Sequence, residues 1–100
     1  MALTFSQSAD FQIWAFNQDL TIFTVHELME PCRSGLAKAG AKVLLDLSAV
    51  EDIDSAGLQL VWWLSHQLQL QSLVRVTGTE NTMVQRLLNI YQFEFPDNLE

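Results

Sequence analysis

Few residues in this chain combine a reactive group with a position that could use it. The sharpest is Ser55, in the run Ser48-Ala-Val-Glu51-Asp52-Ile-Asp54-Ser55-Ala-Gly57. A serine there stands where an acidic loop turns into a helix. A helix N-terminus carries unpaired N–H donors and a partial positive charge, and it accommodates a phosphate well. The nearby carboxylates, Glu51, Asp52 and Asp54, are hard oxygen ligands in principle. Two of them are adjacent, however, and no Asp-x-Asp-x-Asp-Gly loop is present, so a solvated loop ending in a helix cap accounts for them and no metal is expected. Asp54 or Ser55 as a cap suffices for the local sequence. A nucleophilic serine would need a base and an oxyanion site. His26 and His66 are the only histidines, and neither has a recognisable relation to Ser55. There is no Gly-x-Ser-x-Gly elbow and no phosphate-binding glycine loop. No catalytic residue, no cofactor and no enzyme activity are expected. Cys32, inside a helix, reads as a small buried hydrophobe.

The elements that position Ser55 follow from the hydrophobic pattern. Val43–Leu47 is a buried strand, too short and too apolar for an exposed element, and Lys42–Leu47 reads as a central, parallel strand. The helix from Ser55 to Leu70 carries a core stripe of Gly57, Val61, Leu64 and Leu68, with Leu60 beside it. Trp62 and Trp63 fall on the flanks of the opposite face, around Gln59 and His66, and Leu58 lies on the side of Trp62. One tryptophan is expected to pack under a neighbouring element. The other, with Leu58, is a candidate for an exposed apolar patch that a partner covers.

Upstream, Leu3–Ser8 and Phe11–Phe16 alternate as a hairpin about Ala9-Asp10. Leu20–Phe23 is a short strand or its continuation. Thr24-Val-His-Glu27 reads as a capping box. The helix after it turns Leu28, Leu36 and Ala37 inward and ends at Gly40. Pro31 inside it is expected to kink the helix or shift its start. Downstream, Ser72–Thr77 is a strand closed by Gly78. Thr79 caps a last helix in which Met83, Val84, Leu87, Leu88 and Tyr91 recur at helical spacing. Strands first and alternating helices and strands afterwards indicate an α/β fold with a mixed sheet.

Bulk properties narrow the partner. The 100 residues suggest one domain over 1–100. Hydrophobic residues make up 49% of the chain, which argues against disorder. No apolar run approaches a membrane span and no signal segment opens the chain. With one cysteine and no signal segment, a cytoplasmic location is expected. A net charge of −7 disfavours nucleic acid and anionic membrane surfaces and favours a protein partner with a basic face.

The stretch Asp46–Leu60 (DLSAVEDIDSAGLQL) resembles the signature of STAS domains, the anti-sigma factor antagonist family. Leu20–Leu28 (LTIFTVHEL) resembles the family's segment between its second strand and first helix. The strand, Gly78 and following helix match in order. The resemblance covers nearly the whole chain and implies a mixed four- to five-stranded sheet flanked by three to four helices. It implies function by protein binding rather than turnover. In regulatory members, a serine or threonine at the position of Ser55 is phosphorylated by a partner kinase, often an anti-sigma factor with a histidine-kinase-like ATP-binding fold. The unmodified form binds the partner, the phosphorylated form releases it, and a phosphatase resets it. Together with the apolar patch read from the helix, the expected partner-binding residues are Asp52, Asp54, Ser55, Leu58 and Trp62. A kinase that supplies its own base and metal needs no histidine beside the acceptor. The resemblance departs at Asn17-Gln-Asp-Leu-Thr21, where sigma-pathway members commonly read Gly-Glu-Leu-Asp, and the wording here looks more like chemotaxis-associated STAS proteins. Small STAS subunits that brace an ABC transporter ATPase share the Asp-Ser/Thr-x-Gly-Leu segment, so a non-switching scaffold of the lipid-transport type is the alternative. An exposed tryptophan would also suit a homodimer.

Overall fold

A computed structural model of the chain describes residues 3–78 and, beyond them, Gln85. Strand β1 (Leu3–Ser8) and strand β2 (Phe11–Phe16) form the expected antiparallel hairpin. The two-residue turn works because Ala9 takes a left-handed conformation, φ 51°. Helix α1 (Val25–Leu36) then leads to strand β3 (Lys42–Asp46), and helix α2 (Ser55–Gln69) to strand β4 (Leu73–Thr77). The sheet order is β1-β2-β3-β4, with β2, β3 and β4 parallel. The chain is therefore α/β with a mixed four-stranded sheet and two helices among the described residues. The residues named for the expected last helix, Met83, Val84, Leu87, Leu88 and Tyr91, lie outside the described residues, which contain no fifth strand.

β3 is central, as its short apolar run predicts. Val43 and Leu45 are fully buried, Trp14 pairs with Leu45, and Val43 with Val74. One cluster joins these residues to Leu28 and Cys32 of α1 and to Leu60, Val61, Leu64 and Leu68 of α2. α1 packs against α2, and α2 against β4. The α2 stripe is as read, but the buried arc is wider. It extends to Leu58 and Ser65, both at 0% exposure, and so covers roughly 160° at 100° per residue.

Four local expectations change. The capping box does not form. Thr24 sits at the α1 N-cap with helical φ −112° and ψ −23°, without the extended geometry a cap needs, and its side chain makes no cap bond. Its hydroxyl donates instead to the Asp19 carbonyl at 2.7 Å and accepts the Thr21 N–H at 3.0 Å. Second, α1 ends at Leu36 rather than Gly40, and Ala37 is exposed rather than turned inward. Third, Pro31 leaves the start of α1 at Val25, and the helix runs through it. Fourth, Leu20–Phe23 is no strand: only Leu20 forms a bridge, parallel to Ile53, and the chain then turns.

Candidate functional site: the α2 N-terminus and the loop beside it

The loops that follow β2 and β3 meet at the carboxyl end of the sheet. Leu20 donates its N–H to the Asp52 carbonyl at 2.9 Å and accepts the Asp54 N–H at 3.0 Å. Asp19 Oδ1 accepts the Asp52 N–H at 3.1 Å. This short ladder fixes where α2 begins.

Asp54 is the α2 N-cap, with extended φ and ψ. Its two carboxylate oxygens serve two segments. Oδ1 accepts the Gly57 N–H at 3.0 Å and so caps the helix. Oδ2 accepts the Ile22 N–H at 2.9 Å, from the loop before α1. The cap is thus also a clasp between two stretches of chain 32 residues apart. Nothing in the local sequence signals that second bond.

Gly57 explains itself in the same place. A Cβ built on it would collide with the carbonyl oxygen, carbonyl carbon and Cβ of Leu20. The helix can approach the loop ladder this closely only without a side chain at this position. The Asp-Ser-x-Gly tetrapeptide therefore divides its labour. Asp54 caps and clasps, Gly57 admits the neighbouring backbone, and the Ser55 hydroxyl takes part in neither contact.

Ser55 is the first residue of α2 and is partly exposed. Its hydroxyl makes no hydrogen bond among the described residues. The N–H groups of Ser55 and Ala56 have no intrahelical partner, because the first turn of a helix cannot supply one. A hydroxyl in this position is open to an incoming phosphoryl group, and the helix end moderates the added charge. Glu51 and Asp52 are exposed and Asp54 half-buried, so the surroundings are acidic.

Two apolar features lie on the segments that flank Ser55 in sequence or are clasped to Asp54. Ile22 and Phe23, on the clasped loop, are 60% and 88% exposed. Beside Ser55, Ala56 begins a groove of about 350 Å³ between α1 and α2, lined also by Val25, Met29, Gln59, Leu60 and Trp63. The tryptophans part company here. Trp63 packs against the core along this groove, whereas Trp62 stays 37% exposed. Trp62 lies against His66, with ring centroids 4.3 Å apart. At 100° per residue Ser55, Gln59, Trp62 and His66 share the outer crest of α2. Leu58 does not join them. It is one of the partner-binding candidates, but its side chain is fully buried, because it falls within the wide arc that α2 turns to the interior.

The structure thus brings Asp52, Asp54 and Ser55 together at one corner and puts Trp62 about two turns along the same helix. Sequence reasoning missed Ile22 and Phe23, which it read as strand. The signal available was three apolar or β-branched residues, Thr21-Ile22-Phe23, with no alternation to assign one face inward. Cys32 is buried, and burial pushes its thiol up to about 12. Its side chain is inert core, as expected. No group of three or more metal-ligating side chains is assembled among the described residues.

A family model described as "Mlab, STAS domain" matches residues 16–94. The chain belongs to the STAS domain family. Solved structures agree with that fold. A Thermotoga maritima protein, a candidate anti-sigma factor antagonist, superposes with a TM-score of 0.75 and 24% identity, over 90% of this chain and 78% of that one. An anti-sigma factor antagonist from Mycobacterium paratuberculosis gives 0.75 and 18%, over 98% and 85%. The Bacillus cell-fate determinant SpoIIAA in its phosphorylated form gives 0.65 and 11%, over 90% and 83%. These identities make the likeness one of fold. Comparison with curated protein sequences returns no match. No helix of this STAS domain is long and apolar enough to cross a membrane, among the described residues.

Proposed function

We propose that this STAS domain is a protein-binding adaptor of the anti-sigma factor antagonist type, acting in the cytoplasm without turnover, and that phosphorylation of Ser55 by a partner kinase controls release of the partner. The observation that carries the reading is the placement of the Ser55 hydroxyl. It is partly exposed, unbonded among the described residues, at the first position of α2, and next to Asp54, which clasps the loop of the exposed Ile22. A phosphate there adds a charge of roughly −1.5 to −2 at neutral pH. It would stand next to Asp54 and near Asp52. A partner whose interface is matched to the unmodified acidic surface would meet a stronger negative field and a bulky group where a hydroxyl had been. The partner kinase, an anti-sigma factor with an ATP-binding fold, would supply base and metal, and a phosphatase would restore the hydroxyl.

The non-switching scaffold, a STAS subunit bound to an ABC transporter ATPase, has its own support. Asp54 and Gly57 are fully occupied in seating α2 against Leu20. A permanent binding surface needs that seating equally. Binding of the full chain carrying Ser55→Asp or Ser55→Ala to the partner recovered from source cells separates the two. The switch predicts strong weakening by Ser55→Asp and retention by Ser55→Ala. Equal binding of both variants would leave the scaffold.

A further inference from the structure

Phe23 is the most exposed large apolar side chain in the described structure, at 88%, and Ile22 beside it is 60% exposed. Exposure of this degree on neighbouring residues usually belongs to a mobile loop. Here the backbone is held at every step. The Ile22 N–H is bound by Asp54 Oδ2 at 2.9 Å, and the Phe23 N–H by the Thr21 hydroxyl at 3.3 Å. The Thr24 and Val25 N–H groups both go to the Thr21 carbonyl at 2.9 Å. The Thr24 hydroxyl, which the sequence suggested as a helix cap, ties the same turn to Asp19. Two apolar side chains are therefore presented on a pinned turn, and a pinned turn loses little freedom when it docks.

The ladder that carries the turn is acidic among the described residues. Asp19, Asp52 and Asp54 are all hydrogen-bonded within the ladder that carries it. A second copy of this chain would bring the same carboxylates against these, and each copy carries a net charge of −7. Like charges across an interface suppress association. A surface with Lys or Arg around an apolar pocket gains on both counts.

We infer that Ile22 and Phe23 form a preorganised hydrophobic anchor, and that the protein it fits offers an apolar pocket rimmed by basic side chains. The inference rests on the reading of the Ser55 corner as a protein-binding site and names the chemistry of the partner there. Phe23 fills the pocket, Ile22 closes its edge, and the acidic ladder pairs with the rim. Aromatic side chains in such central positions dominate the energetics of interfaces. Asp54 links the anchor to the α2 N-terminus, so anchor and acceptor form one surface.

The test uses the full chain in source cells, with a benzophenone-bearing amino acid in place of Phe23 and, as control, in place of Leu70. Leu70 is 82% exposed but at the far end of α2, about 22 Å away along the helix. The crosslinked protein is then purified and titrated with wild type, Phe23→Ser, Leu70→Ser and Ser55→Asp at low and high salt. The anchor predicts a crosslink specific to position 23. It predicts at least a tenfold rise in Kd for Phe23→Ser, less than a twofold change for Leu70→Ser, and weakening by salt. No specific crosslink, a crosslink to a second copy of this chain, a Phe23→Ser variant that binds like wild type, or salt-independent binding overturns the inference. The Ser55→Asp arm is read separately. If it binds normally while Phe23→Ser does not, the anchor stands and the phosphorylation switch falls.

Discussion

Substituting Gly57 by alanine puts two physical effects in direct opposition. On helix propensity alone, Gly57→Ala in the first turn of α2 would stabilise by up to about 1 kcal/mol. The structure reverses the sign. The new Cβ would press into the carbonyl group and Cβ of Leu20. That backbone cannot move freely, since Leu20 is bonded to Asp52 at 2.9 Å and to Asp54 at 3.0 Å. Relieving the clash requires lifting α2 or breaking the ladder. Overpacking of this kind costs about 1–3 kcal/mol. Loss of one ladder bond adds about 1 kcal/mol. Set against the propensity gain, the net effect is a destabilisation of about 2 kcal/mol. With a urea m value of about 2 kcal/mol/M, the unfolding midpoint falls by about 1 M. Gly40→Ala is the control, because its Cβ would meet nothing nearer than Gln12 at 3.9 Å. It should stay within about 0.5 kcal/mol of wild type. A Gly57→Ala protein as stable as wild type, or more so, would refute the close approach of α2 to Leu20.

Other expectations follow from the same contacts. Asp54→Ala removes the cap and the clasp together, and should destabilise by about 1–2 kcal/mol, with Asp54→Asn recovering roughly half. Amide exchange at Ile22 and Gly57 should quicken together in Asp54→Ala, and independent behaviour of the two amides would argue against a shared carboxylate. Burial pushes the Cys32 thiol from 9.0 to about 12, so the native protein should resist iodoacetamide at pH 8 and react only on unfolding. A thiol raised in the folded state contributes stability that is complete below pH 9 and is lost as pH rises towards 12. Wild type should therefore lose stability more steeply than Cys32→Ala above pH 9, and parallel pH profiles would contradict the burial. Trp62→Phe should remove most of the acrylamide-quenchable emission, because Trp14 is fully buried and Trp63 packs against the core. An unchanged quenching slope would place the exposed indole elsewhere.

Much of the frame was legible in the residues because it depends on periodicity. Val43 and Leu45 alternate inward on β3, and Gly57, Val61, Leu64 and Leu68 line one side of α2. What depends on contacts between distant segments was not legible. Thr24 and Glu27 have the spacing of a capping box, yet the Thr24 hydroxyl finds the Asp19 carbonyl, a bond that exists only once the loop has turned. Leu58 sits at the margin of the apolar stripe, where sequence cannot decide between interior and patch, and the broad seat of α2 takes it inside. Ile22 and Phe23 have strand-like side chains, but the Asp54 clasp turns the backbone out of the sheet there. The position of Ser55 was legible for a simple reason. Ser55 follows a cap residue and precedes a core stripe, so its place at the helix start needs no tertiary information.

The central claim is that Ser55 accepts a phosphoryl group. The direct measurement is phosphopeptide mapping of the full chain after incubation with source-cell extract and ATP, with Ser55→Ala in parallel. The account predicts a single phosphate on Ser55 in the wild type and none in the variant. An extract that phosphorylates the chain elsewhere, or not at all, would contradict it.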